Sequence, residues 1–203
     1  MSTADSTHED LRYVRRLAES GAHAPLLGGR FMAWWGLLLT AAYVAHHFAL
    51  AGAIGDGHTV FLLIWGAFGI LGLGGQLLLA RTMSGKAGAG SAGNRASRVA
   101  WCTAGMAIAS MVGGATAAAT RGAGPGAFDW IVPVAFAVYA CALLVTGSLA
   151  RSLVTMVAGA GAIAMVGLFA ALVLSPERYL LAAGGVALTV LLPGLLLVKA
   201  EPR

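Results

Sequence analysis

Charge is scarce in this sequence. Of 203 residues, 10% are charged and 59% are hydrophobic, whereas a soluble domain carries about 25% charged residues to hold its surface in water. That deficit excludes an ordinary water-soluble globule and makes the bilayer the natural solvent. One compact membrane domain is expected, with no separate soluble domain. Carboxylates are scarcest where they would matter most. None of the acidic residues falls inside an apolar run, and Asp129 and Glu177 stand only at the ends of such runs. Carriers coupled to protons or sodium keep a carboxylate at mid-membrane, where its charge change drives the cycle, so the absence argues against such chemistry. Also missing are H-E-x-x-H, G-x-S-x-G and any cysteine pair at metal-ligand spacing. The two cysteines, Cys102 and Cys141, sit in apolar runs and read as small core residues. No cofactor is indicated.

What is present begins with the stretch from Ser6 to Gly52. Ser6-Thr7-His8-Glu9 forms a capping box. Glu9 and Asp10 at the start, with Arg15 and Arg16 near the end, suit the helix dipole. Leu11, Val14, Leu17 and Ala18 share one face at helical spacing, while Arg12, Arg15, Arg16 and Glu19 fall elsewhere. Gly21 and Pro25 end the segment. An amphipathic helix of this length is not stable alone in water, so it rests on headgroups or on a protein surface.

From Phe31 to Gly52 there is no charge if histidine is neutral. That run is long enough to cross a hydrocarbon core of about 30 Å, with Arg30 at its edge and Trp34-Trp35 suited to the interfacial belt. Further runs at about 59–80, 99–120, 128–150, 153–174 and 179–198 complete six predicted spans. Pro133 is expected to kink the fourth or start its regular part, and Pro193 to interrupt the sixth. Residues 82–97 read as a Gly/Ala/Ser-rich loop carrying Lys86 and Arg95, with Arg98 at its far edge. The expected fold is all-α: residues 1–29 as a cytoplasmic segment with an amphipathic helix, and 30–203 as a six-helix transmembrane domain.

Basic residues choose the orientation. Arg12, Arg15, Arg16, Arg30, Arg81, Lys86, Arg95, Arg98, Arg151, Lys199 and Arg203 fall on one side, and only Arg121 and Arg178 on the other. The positive-inside rule then places both termini in the cytoplasm. The net charge of +5 therefore reports membrane orientation, and direct binding to nucleic acid is not expected. The third span carries Gly105, Ala109, Gly113 and Ala117 at four-residue spacing, a row that lets helix backbones approach closely. That row is expected to pack within the bundle, or alternatively to form a homodimer.

His46 and His47 are the ionisable side chains well inside a span, tyrosines and thiols apart. Intramembrane ionisable groups are functional candidates, but neighbours on a helix point about 100° apart, so the pair cannot face one metal or haem. A neutral structural histidine near the outer interface is the competing reading. Gly88-Ala-Gly-Ser-Ala-Gly93 matches G-x-G-x-x-G, but a dinucleotide site needs a preceding strand in a βαβ unit. Lys86, Arg95 and Arg98 are better placed to meet lipid phosphates or a cytoplasmic partner.

The opening Asp10-Leu11-x-x-Val14-Arg15-x-Leu17-x-Glu19-Ser20, with Leu27-Gly28-Gly29 and Trp35-Gly36 leading into a span, resembles a family of small six-span bacterial membrane proteins. Its members are often encoded beside a winged-helix transcriptional regulator. The resemblance covers about residues 10–36 and implies a membrane protein whose cytoplasmic face communicates with a regulator. It carries no catalytic or binding residues. The expected function is a non-enzymatic sensor or scaffold in the bacterial inner membrane, touching its partner through the N-terminal helix and the 82–98 segment. The alternatives are a small oligomeric transporter or channel, and a haem or metal redox protein using His46 or His47.

Overall fold

The computed structural model describes Arg12 and residues 26–55, 57–83, 85–86, 88–172, 175 and 177–200. Arg12 is helical and exposed; Leu11, Val14, Arg15, Arg16 and Leu17, the remainder of the expected amphipathic face and its basic flank, lie outside the described residues. All regular elements among the described residues are helical. They are α1 (Gly29–Leu50), α2 (His58–Met83), α3 (Ala92–Ala118), α4 (Ile131–Ala150), α5 (Leu153–Ala171), α6 (Arg178–Val186) and α7 (Leu192–Ala200). A widened turn, Ala119–Ala123, extends α3, and a second, Ala187–Leu191, joins α6 to α7 in one rod. Pro193 has no N–H to donate, and its ring would clash with the carbonyl four residues earlier. The widened turn before it absorbs that clash while the helix continues. Pro133 lies in the first turn of α4, where the N–H has no helical partner to lose, so it begins the regular part of that helix.

Successive helices run antiparallel. His46 of α1 meets Phe61 and Trp65 of α2, while Trp35 meets Phe68 further along. Phe136 of α4 lies 5.0 Å from Phe169 of α5, ring to ring. At the other end of the same pair, a β-carbon on Gly147 would fall 2.6 Å from Oγ1 of Thr155. The rod from Arg178 to Ala200 packs against α1 backbone to backbone: a β-carbon on Gly36 would lie 2.7 Å from Cα of Leu191. Gly29 is thereby brought beside Leu197 and Val198, so the start of α1 and the end of α7 share one end of the bundle. Phe136, Leu143, Phe169 and Val186 are fully buried between α4, α5 and α6. Tyr43 of α1 and Tyr179 of α6 join the same core.

Five helical segments are long and apolar enough to cross a membrane: Thr59–Met83, Ala92–Ala123, Pro125–Ala150, Leu153–Ala171 and Arg178–Ala200. Helix α1 has 22 residues but is less apolar, because it carries Trp34, Trp35, His46 and His47. The two tryptophans are also packing elements. Each ring lies against a glycine of α2: a β-carbon on Gly72 would stand 2.3 Å from the Trp35 ring, and one on Gly75 would stand 2.2 Å from Nε1 of Trp34.

Several sequence expectations change here. Helix α3 begins at Ala92, so Arg95 and Arg98 ride on the helix and not in a loop. The cause is local: Ser91 caps the helix by accepting from the backbone N–H of Asn94 at 3.3 Å. Cys102 and Cys141 are exposed, not core. The row Gly105, Ala109, Gly113, Ala117 also faces outward, and β-carbons on Gly105 and Gly113 would meet nothing within 4 Å. Packing of that row within the bundle is therefore not observed. Helix α3 instead packs on α4, with Trp101 5.8 Å from the Tyr139 ring, and its less exposed residues there are Trp101, Ala104, Ile108, Met111 and Ala115. Their spacing of three and four residues places them on the side opposite the row.

Candidate functional site

Two places in the fold gather polar chemistry, one at each end of the bundle. At the first, His46 is built into an aromatic cluster. Its ring lies 3.9 Å from that of Tyr179 and 4.7 Å from Phe61, and its Nδ1 accepts from the indole N–H of Trp65 at 3.0 Å. An acceptor Nδ1 leaves the proton of a neutral imidazole on Nε2. Tyr43 closes the group against Trp65 at 5.5 Å and Tyr179 at 6.2 Å. Above it, the Arg178 guanidinium sits 4.9 Å from the Tyr179 ring centroid, donates to the Tyr179 hydroxyl at 3.3 Å and pairs with Asp129 at 2.7 Å. The ion pair joins the chain ahead of α4 to the start of α6. Beside it, Ser175 donates to Glu177, and that bond, first among the causes, holds the Glu177 carboxyl below its ordinary value.

His47 points elsewhere and contacts the Phe48 ring at 5.6 Å. Among the described residues, no three His, Cys, Asp or Glu side chains come together as a metal site. His46 has given its Nδ1 and one ring face to neighbours on α2 and α6, which is the geometry of a residue that ties helices together.

The opposite end carries most of the basic residues. Arg30 opens α1, Arg81 closes α2, Arg151 follows α4 and Lys199 closes α7, with Lys86, Arg95 and Arg98 between α2 and the body of α3. Arg81, Arg95, Arg98, Arg151 and Lys199 are exposed. The residue that organises this end is one that sequence reasoning missed, Asn94. Its Oδ1 accepts from the backbone N–H of Leu27 at 2.9 Å. Its Nδ2 donates to the Gly88 carbonyl at 3.0 Å and to Oγ of Ser91 at 3.2 Å. The signal was legible: an S-x-x-N start after a glycine-rich segment. It was masked by the apolar run, which starts only at Val99. The G-x-G-x-x-G stretch is thus a loop fastened by a side chain, followed by a helix but preceded by no strand among the described residues.

Other polar side chains of the helices differ in what they join. Gln76 links two helices, accepting from the Trp35 indole at 2.8 Å. Thr116 and Thr189 donate to carbonyls four residues back on their own helices. Comparison with protein-family models, with curated proteins and with solved structures finds no match for this chain.

Proposed function

We propose that the chain is a six-span integral membrane protein of a bacterial inner membrane, with both termini in the cytoplasm. In this reading it acts as a non-enzymatic sensor or scaffold. The observation that carries the topology is the charge separation between the two ends of an antiparallel bundle. One end holds Arg30, Arg81, Lys86, Arg95, Arg98, Arg151 and Lys199, while the other holds Arg121 and Arg178, the latter paired with Asp129. Short basic segments stay on the cytoplasmic side. Helix α1 serves as the sixth span. It runs beside α2 and the last rod, and two of its less apolar side chains are answered within the fold, Trp35 by Gln76 and His46 by Trp65, while the buried Trp34 N–H and Thr40 hydroxyl have no partner among the described residues. Buried polar groups are tolerated in hydrocarbon when partnered in this way.

The contact surface in this proposal is the basic end together with the N-terminal helix. The family resemblance adds a winged-helix regulator as the class of partner. Alkaline phosphatase and fluorescent-protein fusions at the loop before Ser91 and at Gly124 test the topology. Fluorescence at the first site and phosphatase activity at the second are expected, and the reverse pattern overturns the reading. Deletion of residues 1–22 is expected to leave membrane insertion intact while abolishing regulator recruitment, measured by cross-linking in membranes. Unchanged cross-linking would remove the N-terminal helix from the contact.

A further inference from the structure

We propose that the outward face of α3 is a binding site for one anionic phospholipid, its headgroup on Arg95 and Arg98 and its acyl chain along Val99, Cys102, Met106 and Gly113. The proposal rests on the membrane reading above and names a ligand class for its basic end. Arg95, Val99, Cys102 and Met106 recur at intervals of four and three residues, and Gly113 follows seven residues, about two turns, beyond Met106, so the five line one face. Arg98, one turn from Arg95, flanks it. Both arginines are exposed, as is Cys102, and Val99 and Met106 are 61% and 65% exposed. Neither guanidinium is ion-paired to a described residue. The face therefore begins with two cations and continues as apolar surface toward the other end of the helix. That order matches a lipid phosphate above its own acyl chain.

Open glycines alone do not mark the face, since Gly66, Gly69 and Gly74 of α2 are as open as Gly105 and Gly113 of α3. What distinguishes α3 is the pair of exposed arginines, Arg95 and Arg98, at its basic end, where α2 ends in Arg81 alone. Charge also decides against a second copy as the occupant. Two copies in one membrane are parallel, and helices packed through small residues approach to about 8–10 Å or less. A two-fold contact across this face would gather four guanidiniums of like charge at one level. A phosphate neutralises the same charges.

The test is native mass spectrometry of the full chain released from neutral detergent, with phosphatidylglycerol and phosphatidylcholine of matched acyl chains in equimolar competition. The wild type is expected to retain phosphatidylglycerol selectively. R95Q/R98Q is expected to lose that preference roughly thirtyfold, about fivefold for each cation removed. R95K/R98K should keep most of it, and R121Q, at the opposite end, all of it. Equal retention of the two lipids by the wild type, or an unaltered preference in R95Q/R98Q, overturns the proposal. A wild-type dimer that G113L converts to monomer with lipid preference intact also overturns it, since a second copy then holds the face. Displacement of phosphatidylglycerol by millimolar inorganic phosphate does the same, because the apolar half would then be idle. Reconstitution into liposomes separates the two levels: a chain that fails to insert refutes the six-span reading and this site with it, whereas an inserted chain without lipid preference refutes this site alone.

Discussion

The ring of Trp35 occupies the place where a side chain on Gly72 would begin. A β-carbon there would stand 2.3 Å from Cζ3, and the same helix repeats the arrangement one turn later with Gly75 beneath Trp34. The indole N–H of Trp35 then reaches Gln76 on the same face. Helix α2 packs chiefly against α1, so its attachment depends on these two glycine seats and on the His46 cluster nearer its start.

Glycine substitutions along α2 should therefore differ in sign. At Gly72 or Gly75, alanine forces a rigid indole to move, and overpacking of this kind costs about 1–3 kcal/mol. Better helix propensity returns at most about 1 kcal/mol. At Gly66 and Gly69 a new β-carbon meets nothing within 4 Å, so only the propensity gain remains. Thermal unfolding in detergent should show G72A and G75A below the wild type, and G66A and G69A at or above it. Equal effects at all four sites would contradict the seating.

Asn94 makes the second prediction. It joins the start of α1 to the loop before α3, and its amide orientation is fixed because Leu27 supplies a donor and Gly88 an acceptor. N94A leaves a buried N–H without an acceptor, at a cost of about 1–3 kcal/mol. N94D keeps the oxygen for Leu27 but loses both Nδ2 bonds, and should fall between. Limited proteolysis between residues 84 and 91 should accelerate in the order wild type, N94D, N94A.

How much of this was legible in the sequence follows from which interactions leave a one-dimensional trace. Apolar runs bounded by Arg81, Arg151 and Lys199 located the helices, and Pro133 marked the first turn of α4, because length, charge and proline act locally. The start of α3 was misplaced by about two helical turns, because Arg95 and Arg98 interrupt the apolar run while Ser91 and Asn94 make the helix start by hydrogen bonding. The glycine seats of the tryptophans left no trace, because they depend on the register between α1 and α2, which no local signal in the chain announces. The row on α3 has the same ambiguity: small residues at four-residue spacing read identically whether they face a helix or the outside. The importance of His46 was visible in the sequence, but its partners, Trp65 and Tyr179, come from helices whose register nothing in the chain announces.

The outward row makes the third prediction. G113L adds a side chain where a single chain offers no contact, and should change stability by no more than about 0.5 kcal/mol, the range of a surface substitution. A115L should be destabilising, because Ala115 is buried on the side of α3 that meets α4 and extra methylenes there cost about 1–3 kcal/mol. Comparable losses in the two variants, measured by thermal unfolding of monomeric protein, would mean that the row packs inside the bundle after all.

The fourth prediction separates the two services His46 performs. Its ring stacks on Tyr179, and its Nδ1 accepts from Trp65. H46F keeps an aromatic ring for the stack and leaves the Trp65 N–H with no acceptor. H46Q keeps a side-chain oxygen within reach and gives up the stack. Hydrogen bonds between membrane helices average about 0.6 kcal/mol and reach about 1.7, while aromatic pairs contribute about 0.5–1.5 kcal/mol beyond their area. Each variant should therefore lose about 1 kcal/mol, and H46A, which loses both services and leaves a cavity, clearly more. The indole ring modes of Trp65 provide an independent reading. In ultraviolet resonance Raman spectra, compared with W65F to isolate that residue, H46F should shift the band that reports indole N–H bonding, and H46Q should leave it near the wild-type position. If H46F leaves the band unmoved, Trp65 has another acceptor, and the tie between α1 and α2 at this end of the bundle rests on ring packing alone.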